Sequence, residues 1–252
     1  GWTADTQVFA ETGTFFANTK DFFHKWMRDL CDSQSQYGGF PGVAPYGQYG
    51  SSNHEMMRVG WADAGIIVPW TIWKQFDDRK IVDDNWQAME RYMDHINATK
   101  YDHQALSKEN GNYQWGDWLS YEPLESCSGQ FKDKNGRKPE AIRYWSYLCA
   151  SYWAIDARNM YDMAKATGHD AAKYKTMTKE ATEYLKEQFM NADGTFKDSI
   201  LNTMQTPALF ALKNNLVEGE AKENMKQRLR NNFKAHDNCL QTGFLGTSIL
   251  MN

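Results

Sequence analysis

Apolar residues recur at intervals of three and four along almost the whole of this chain, and no stretch alternates with period two for long enough to make a strand. That pattern restricts the fold to helices packed on helices. Val8, Thr12, Phe15, Thr19, Phe22, Trp26 and Leu30 form one stripe, widened by Phe9, Phe16, Phe23 and Met27, and predict a single long helix over residues 6–34. A second is expected over 64–77, carrying Ile67, Trp70, Trp73 and Phe76, with Pro69 in its first turn or at a kink. A third, over 79–98, has Asp78 as candidate N-cap and Val82, Trp86, Met89, Met93 and Ile96 on one face. A fourth covers 140–167, with Ile142, Trp145, Cys149, Tyr152, Met160 and Met163 inward and Gly168 placed to end it. A fifth covers 170–190, followed by the turn Asn191-Ala192-Asp193-Gly194. Shorter helices are expected at 204–214 and 220–235, and another begins near Gly246.

The reading is all-α, about eight helices. Tight turns fall near Asp77-Asp78, Gly168-His169 and Asn215–Gly219, while residues 35–60 and 99–139 make long connections. Short and long connections in alternation suit a barrel of helical hairpins with its long loops gathered at one end, and loops of that length in a compact domain are usually functional. There is no repeat of solenoid type and no sustained heptad.

Composition narrows the partners. The chain has 252 residues, 41% apolar and 24% charged, enough for one continuous core. A net charge of −4 gives no electrostatic attraction to nucleic acid or anionic membranes. No run approaches the ~20 apolar residues that a membrane span needs. The start at Gly1, with neither Met nor basic leader, reads as a cut inside a longer protein. Cys31, Cys127, Cys149 and Cys239 are scattered and expected to be buried thiols rather than a disulfide framework or zinc site. The unusual feature is ten Trp among 14% aromatic residues. Part of that serves packing, but indole also stacks on the apolar faces of sugar rings, which points toward carbohydrate.

Five segments, in order, carry a resemblance. They are Gly1-Trp2-Thr3-Ala4-Asp5-Thr6-Gln7-Val8-Phe9; Gly60-Trp61-Ala62-Asp63-Ala64-Gly65 continuing to Val68-Pro69-Trp70-Thr71; Gly116-Asp117-Trp118-Leu119; Gln205-Thr206-Pro207-Ala208-Leu209; and Thr242-Gly243-Phe244-Leu245-Gly246-Thr247. Each is short, but together they span residues 1–247 and resemble the catalytic domain of bacterial α-L-rhamnosidases of glycoside hydrolase family 78. The resemblance implies an (α/α)6 toroid of helical hairpins, incomplete in this segment, with residues 1–252 forming part of a single catalytic domain.

It also implies inverting hydrolysis of terminal α-L-rhamnose in plant polysaccharides or glycosides. Inversion needs one carboxyl group as acid and another as base. In the family these are glutamates before the first segment and beyond the last, so both are expected outside residues 1–252 and the isolated segment is expected to be inactive. Asp5 matches a carboxylate that supports the acid and binds sugar hydroxyls; read from its position alone it is a helix cap. Trp2, Trp61 and Trp118 match pocket tryptophans that would face the ring and its C6 methyl, against the alternative of core packing. Asp63 and Asp117 are candidates for sugar contact, against capping or another structural role.

Trp26, Trp70, Trp73, Trp86, Trp145 and Trp153 lie on helix stripes and are expected in the core. Glu122 and Glu125, in the long loop, are expected to be solvated charges, against the alternative of lining the rim of the sugar subsite, and the six His structural or superficial. His54-Glu55 lacks a second His at zinc spacing, and Asp133-Lys134-Asn135-Gly136 reads as a turn rather than a calcium loop. No metal and no cofactor is implied. The partner is a rhamnose-containing oligo- or polysaccharide, with neighbouring parts of the same parent chain; periplasmic or extracellular placement follows from the resemblance alone. The rival readings are another (α/α)6 enzyme, either a different glycosidase or a polysaccharide lyase, and a non-catalytic sugar-binding toroid.

Overall fold

The computed structural model describes residues 1–46, 56–111, 113–124 and 139–251. Glu125, Cys127, His54-Glu55 and Asp133–Gly136 lie outside them. The described residues form α1 (Thr3–Phe16), α2 (Lys20–Asp32), α3 (Ala64–Phe76), α4 (Arg79–Thr99), the short α5 (Ser107–Asn110), α6 (Pro139–Thr167), α7 (Ala171–Phe189), α8 (Gln205–Lys213), α9 (Gly219–Ala235) and α10 (Phe244–Met251), with a 3-10 turn at Ser199–Thr203. Extended pairing among them is confined to isolated bridges. The all-α expectation therefore holds.

The expected helix over 6–34 is two helices. Ala17 turns extended at φ −154°, ψ 157°, although its N–H still reaches Gly13 O at 3.1 Å. The connection Ala17-Asn18-Thr19 contains neither Gly nor Pro, so the apolar period runs across it without a visible break. The stripe also divides by burial. Phe23, Trp26, Met27 and Leu30 are buried, whereas Val8, Phe9, Phe15, Phe16 and Phe22 are exposed. Trp86, Trp145 and Trp153 are buried as expected, but Trp70 and Trp73 are only half-buried. Pro69 is the sixth residue of α3 rather than in its first turn, and Asp78 stands at the N-cap position of α4 without a capping bond, paired instead with His24 Nε2 at 2.8 Å. Cys149 is buried, Cys31 half-buried and Cys239 exposed, which corrects the expectation for the last; none of the three forms a disulfide. Burial and the neighbouring Asp32 push the Cys31 thiol up to about 12.

The chain divides into two compact units. Gly1–Tyr113 with Tyr152–Lys179 make the first; Gln114–Ser151 with the chain from Glu180 onward make the second. In the first unit α3 packs on α1, α2 and α4. A short connection folds α3 against α4 as a helical hairpin, and α1 and α2 each pack on α3. Gln7 on α1 donates to the carbonyl of Gly60, just before α3, and Thr3 N bonds Gly42 O at 2.9 Å. The N-terminal ends of α1 and α3 thus lie together at the end that bears the long connections. Phe40 from the first of those connections fills a recess that a side chain at Gly65 would close, and its ring meets Tyr92 at 5.1 Å. In the second unit α8 packs on α9 and α10. Tyr147 anchors α6 there, donating to Pro207 O at 2.8 Å and meeting the Phe189 and Phe196 rings edge-on, each at 5.3 Å.

Candidate active site

In the first unit the candidate residues stand at the entry to α1 and α3. Trp2 precedes α1, is 47% exposed, and forms an antiparallel bridge with Val43. Asp5 lies in the first turn of α1, exposed, and makes no helix-capping bond. A carboxylate there gains from the positive end of the helix and stays open to a ligand. Trp61 and Asp63 sit on the turn into α3, where Trp61 N and Ala62 N both bond Arg58 O, at 2.9 and 2.8 Å. Trp61 is buried.

Asp63 is fully buried and its carboxylate is occupied from within. Gly60 N donates to Oδ2 at 2.5 Å, Tyr92 OH to Oδ1 at 2.7 Å and Tyr101 OH to Oδ2 at 3.1 Å. It occupies the N-cap position of α3 but makes no capping bond. Its further partner is Asp156, also fully buried, in the apolar run of α6. As a carboxylate, Asp156 would have no donor for either oxygen. With a proton it donates to Asp63. Burial first, then the charge of Asp63, drives its pKa well above the carboxylate range, and burial raises that of Asp63 as well.

Three of the five matching segments meet in the second unit on one carboxylate. Asp117, fully buried, accepts Thr206 Oγ1 and Gly243 N on Oδ2 at 2.6 and 2.8 Å. Leu245 N and Gly246 N reach Oδ1 at 2.8 and 3.0 Å. The acid thereby holds the N–H groups that open α10, the groups a helix leaves unsatisfied. Burial still raises its pKa, opposed by these bonds. Both glycines of that segment are sterically required. A Cβ on Gly243 would overlap the Asp117 and Trp118 carbonyls, and one on Gly246 would overlap Thr206 Oγ1 and Asp117 Oδ2. Beside this anchor Trp118 is half-exposed, 6.4 Å from Trp115, and its carbonyl takes Phe244 N at 2.8 Å.

Glu122, expected to be solvated, is buried. Its Oε1 caps α8, accepting Gln205 N and, at 3.1 Å, Thr206 N, while Oε2 has no partner. Burial, with the charge of Asp117, lifts its pKa to about 8.

The structure thus brings Trp2, Asp5, Trp61 and Asp63 to one end of the first unit and Asp117 with Trp118 to one loop of the second. Sequence reasoning missed Tyr92, Tyr101 and Asp156, and placed Glu122 in solvent where the fold buries it. One signal was available: Asp156 is a lone carboxyl inside Tyr152-Trp153-Ala154-Ile155-Asp156-Ala157, where an acid on a helix stripe must be buried. Among the described residues no cluster of His, Cys, Asp and Glu could hold a metal ion.

Helix packed on helix, with the candidate residues on the connections and helix starts, defines the class: an all-α protein whose candidate site is carried by its loops. The chain belongs to the bacterial α-L-rhamnosidase six-hairpin glycosidase domain family, which it matches over residues 1–252. It is 31% identical over 252 residues to an α-L-rhamnosidase of Formosa agariphila, a span covering 99% of this chain and 25% of that protein. A Streptomyces avermitilis α-L-rhamnosidase is 28% identical over 252 residues, 100% of this chain and 21% of that one. The crystal structure of an α-L-rhamnosidase from S. avermitilis complexed with L-rhamnose matches the whole chain with a TM-score of 0.78 at 26% identity, over 22% of its own length. The Dictyoglumus thermophilum enzyme shares the fold, with a TM-score of 0.74 at 20% identity. The chain spans about a quarter of the length of these relatives.

Proposed function

We propose that this domain belongs to an enzyme that releases terminal non-reducing α-L-rhamnose from plant polysaccharides or glycosides by hydrolysis with inversion. The observation that carries the proposal is the unbroken family match from residue 1 to residue 252. The similarity along the full chain to a rhamnosidase that holds L-rhamnose supports it.

In this reading Asp5 faces the sugar and accepts its hydroxyl protons, supporting the general acid. Trp2, Trp61 and Trp118 offer apolar surface to the ring and to the C6 methyl, which has no hydroxyl to satisfy. Asp63 and Asp117 act from behind: one orders the turn that presents Trp61, the other the loop that presents Trp118. Inversion requires an acid and a base roughly 6.5–9.5 Å apart so that water fits between base and anomeric carbon. We assign both to glutamates outside residues 1–252, so this segment alone hydrolyses no rhamnoside. Water is the sole co-reactant, and a periplasmic or extracellular site of action belongs to the same proposal.

The test is hydrolysis of a panel of aryl glycosides by the full-length gene product, beside its Asp5→Asn variant. Selective release from the α-L-rhamnoside, reduced on the order of a hundredfold in the variant, is expected. A well-folded protein that cleaves none of them would refute the proposal.

A further inference from the structure

The connection between α2 and α3 does more than carry Trp61. Ser33, Tyr37, Tyr46 and Met56, with Lys108 and Glu109 of α5, enclose a half-open cavity of about 460 Å3 within the first unit. That lies in the ~300–1,000 Å3 range of small-molecule sites. The cavity is tied to the Trp2 wall by the backbone: Val43 bridges Trp2, and Pro41 bridges Met56.

One wall is aromatic and preset. The Tyr37 ring, 46% exposed, lies nearly parallel to the His95 imidazole, with centroids 6.3 Å apart and planes at 22°. His95 Nε2 is 2.6 Å from Glu109 Oε1. The other oxygen of the buried Glu109 accepts Ser35 Oγ at 2.5 Å. Ser35 Oγ in turn accepts Gly39 N at 2.9 Å and Tyr37 N at 3.3 Å. The backbone of Tyr37 is therefore held before any ligand arrives and its ring leans toward His95, which lowers the entropy lost on binding. Ser33, Gln36 and Lys108 line the same cavity, with the Ser33 hydroxyl donating to Asp29 O at 2.8 Å. An exposed aromatic face in a cavity lined by hydroxyl, amide and ammonium side chains suits a pyranose: its C–H face stacks while its hydroxyls, or a carboxylate, take the polar groups.

We infer that this cavity is a subsite for a pyranose unit, neutral or acidic, to which the rhamnose is attached. Its role rests on the rhamnosidase reading; its capacity to bind a sugar does not. Two measurements on the full-length gene product separate these. The first compares kcat/KM for α-L-rhamnosyl-(1→4)-D-glucose and α-L-rhamnosyl-(1→4)-D-galacturonate with that for α-L-rhamnosyl fluoride, whose leaving group is too small to reach the cavity. Tyr37→Ala should lower the disaccharide-to-fluoride ratio about tenfold for at least one disaccharide, a size typical of one anchoring contact. Tyr37→Trp, which keeps a stacking face, should preserve it. A ratio unchanged in Tyr37→Ala, or a fall equal for all substrates, would overturn the inference. The second measurement is saturation-transfer NMR with methyl β-D-glucopyranoside and methyl α-D-galacturonide. Contact with either probe, lost in Tyr37→Ala, supports the subsite even if no rhamnoside is cleaved. Absence of contact for both, or contact indifferent to Tyr37, sinks it, and the difference between probes shows which sugar class is taken.

Discussion

Asp117 shows how fully a candidate ligand residue can be engaged by its own fold. Its two oxygens receive one hydroxyl and three backbone amides, all buried. Asp117→Ala would leave those amides without an acceptor, and each such loss costs about 1–3 kcal/mol. We expect about 3 kcal/mol off the unfolding free energy, read from the midpoint of urea denaturation. Glu122 makes a prediction with a sign. Its ordinary pKa is 4.5 and in the fold it is about 8, so between those values the folded chain holds a proton that the unfolded chain has released. The associated stability is complete below about 4.5 and lost as pH rises through about 8. Stability should fall over that window, and Glu122→Gln, neutral at every pH, should flatten the fall; an identical slope in wild type and variant would contradict it. Asp156→Asn applies the same logic to the acid pair. An amide can donate to Asp63 as the protonated acid does, so its melting temperature should stay close to wild type, while Asp156→Leu, which leaves Asp63 short of a donor, should lower it clearly.

At the scale of elements, the sequence made most helices legible and hid their meetings. The stripes on α3, α4, α6 and α7 placed those helices within a residue or two, because periodicity is local. The break at Ala17 was invisible because two helices in succession continue the same period. Likewise Gly116–Leu119, Gln205–Leu209 and Thr242–Thr247 were each readable as short segments. That they close on one carboxylate was not, since its partners lie 89 and 129 residues along the chain. Gly243 is the tightest point of that closure. Gly243→Ala must push the Trp118 loop off the start of α10, at a cost of about 1–3 kcal/mol typical of overpacking. A shifted tryptophan emission maximum in the folded variant, alongside the stability loss, would report the displaced loop; unchanged emission and stability would contradict it.

For the molecule as a whole, α1 and the start of α2 carry Phe9, Phe15, Phe16 and Phe22 outward, with Phe15 74% and Phe16 82% exposed. Large exposed aromatic surface drives association in water. Residues 1–252 expressed alone should therefore sediment as associated species at micromolar concentration, and Phe15→Glu with Phe16→Glu should shift them toward monomer. The most direct measurement of the reaction is time-resolved proton NMR of the full-length gene product acting on an aryl α-L-rhamnoside, read before the sugar anomers equilibrate. Hydrolysis with inversion releases β-L-rhamnose first. Appearance of the α anomer first, or no release of rhamnose by folded protein, would contradict it.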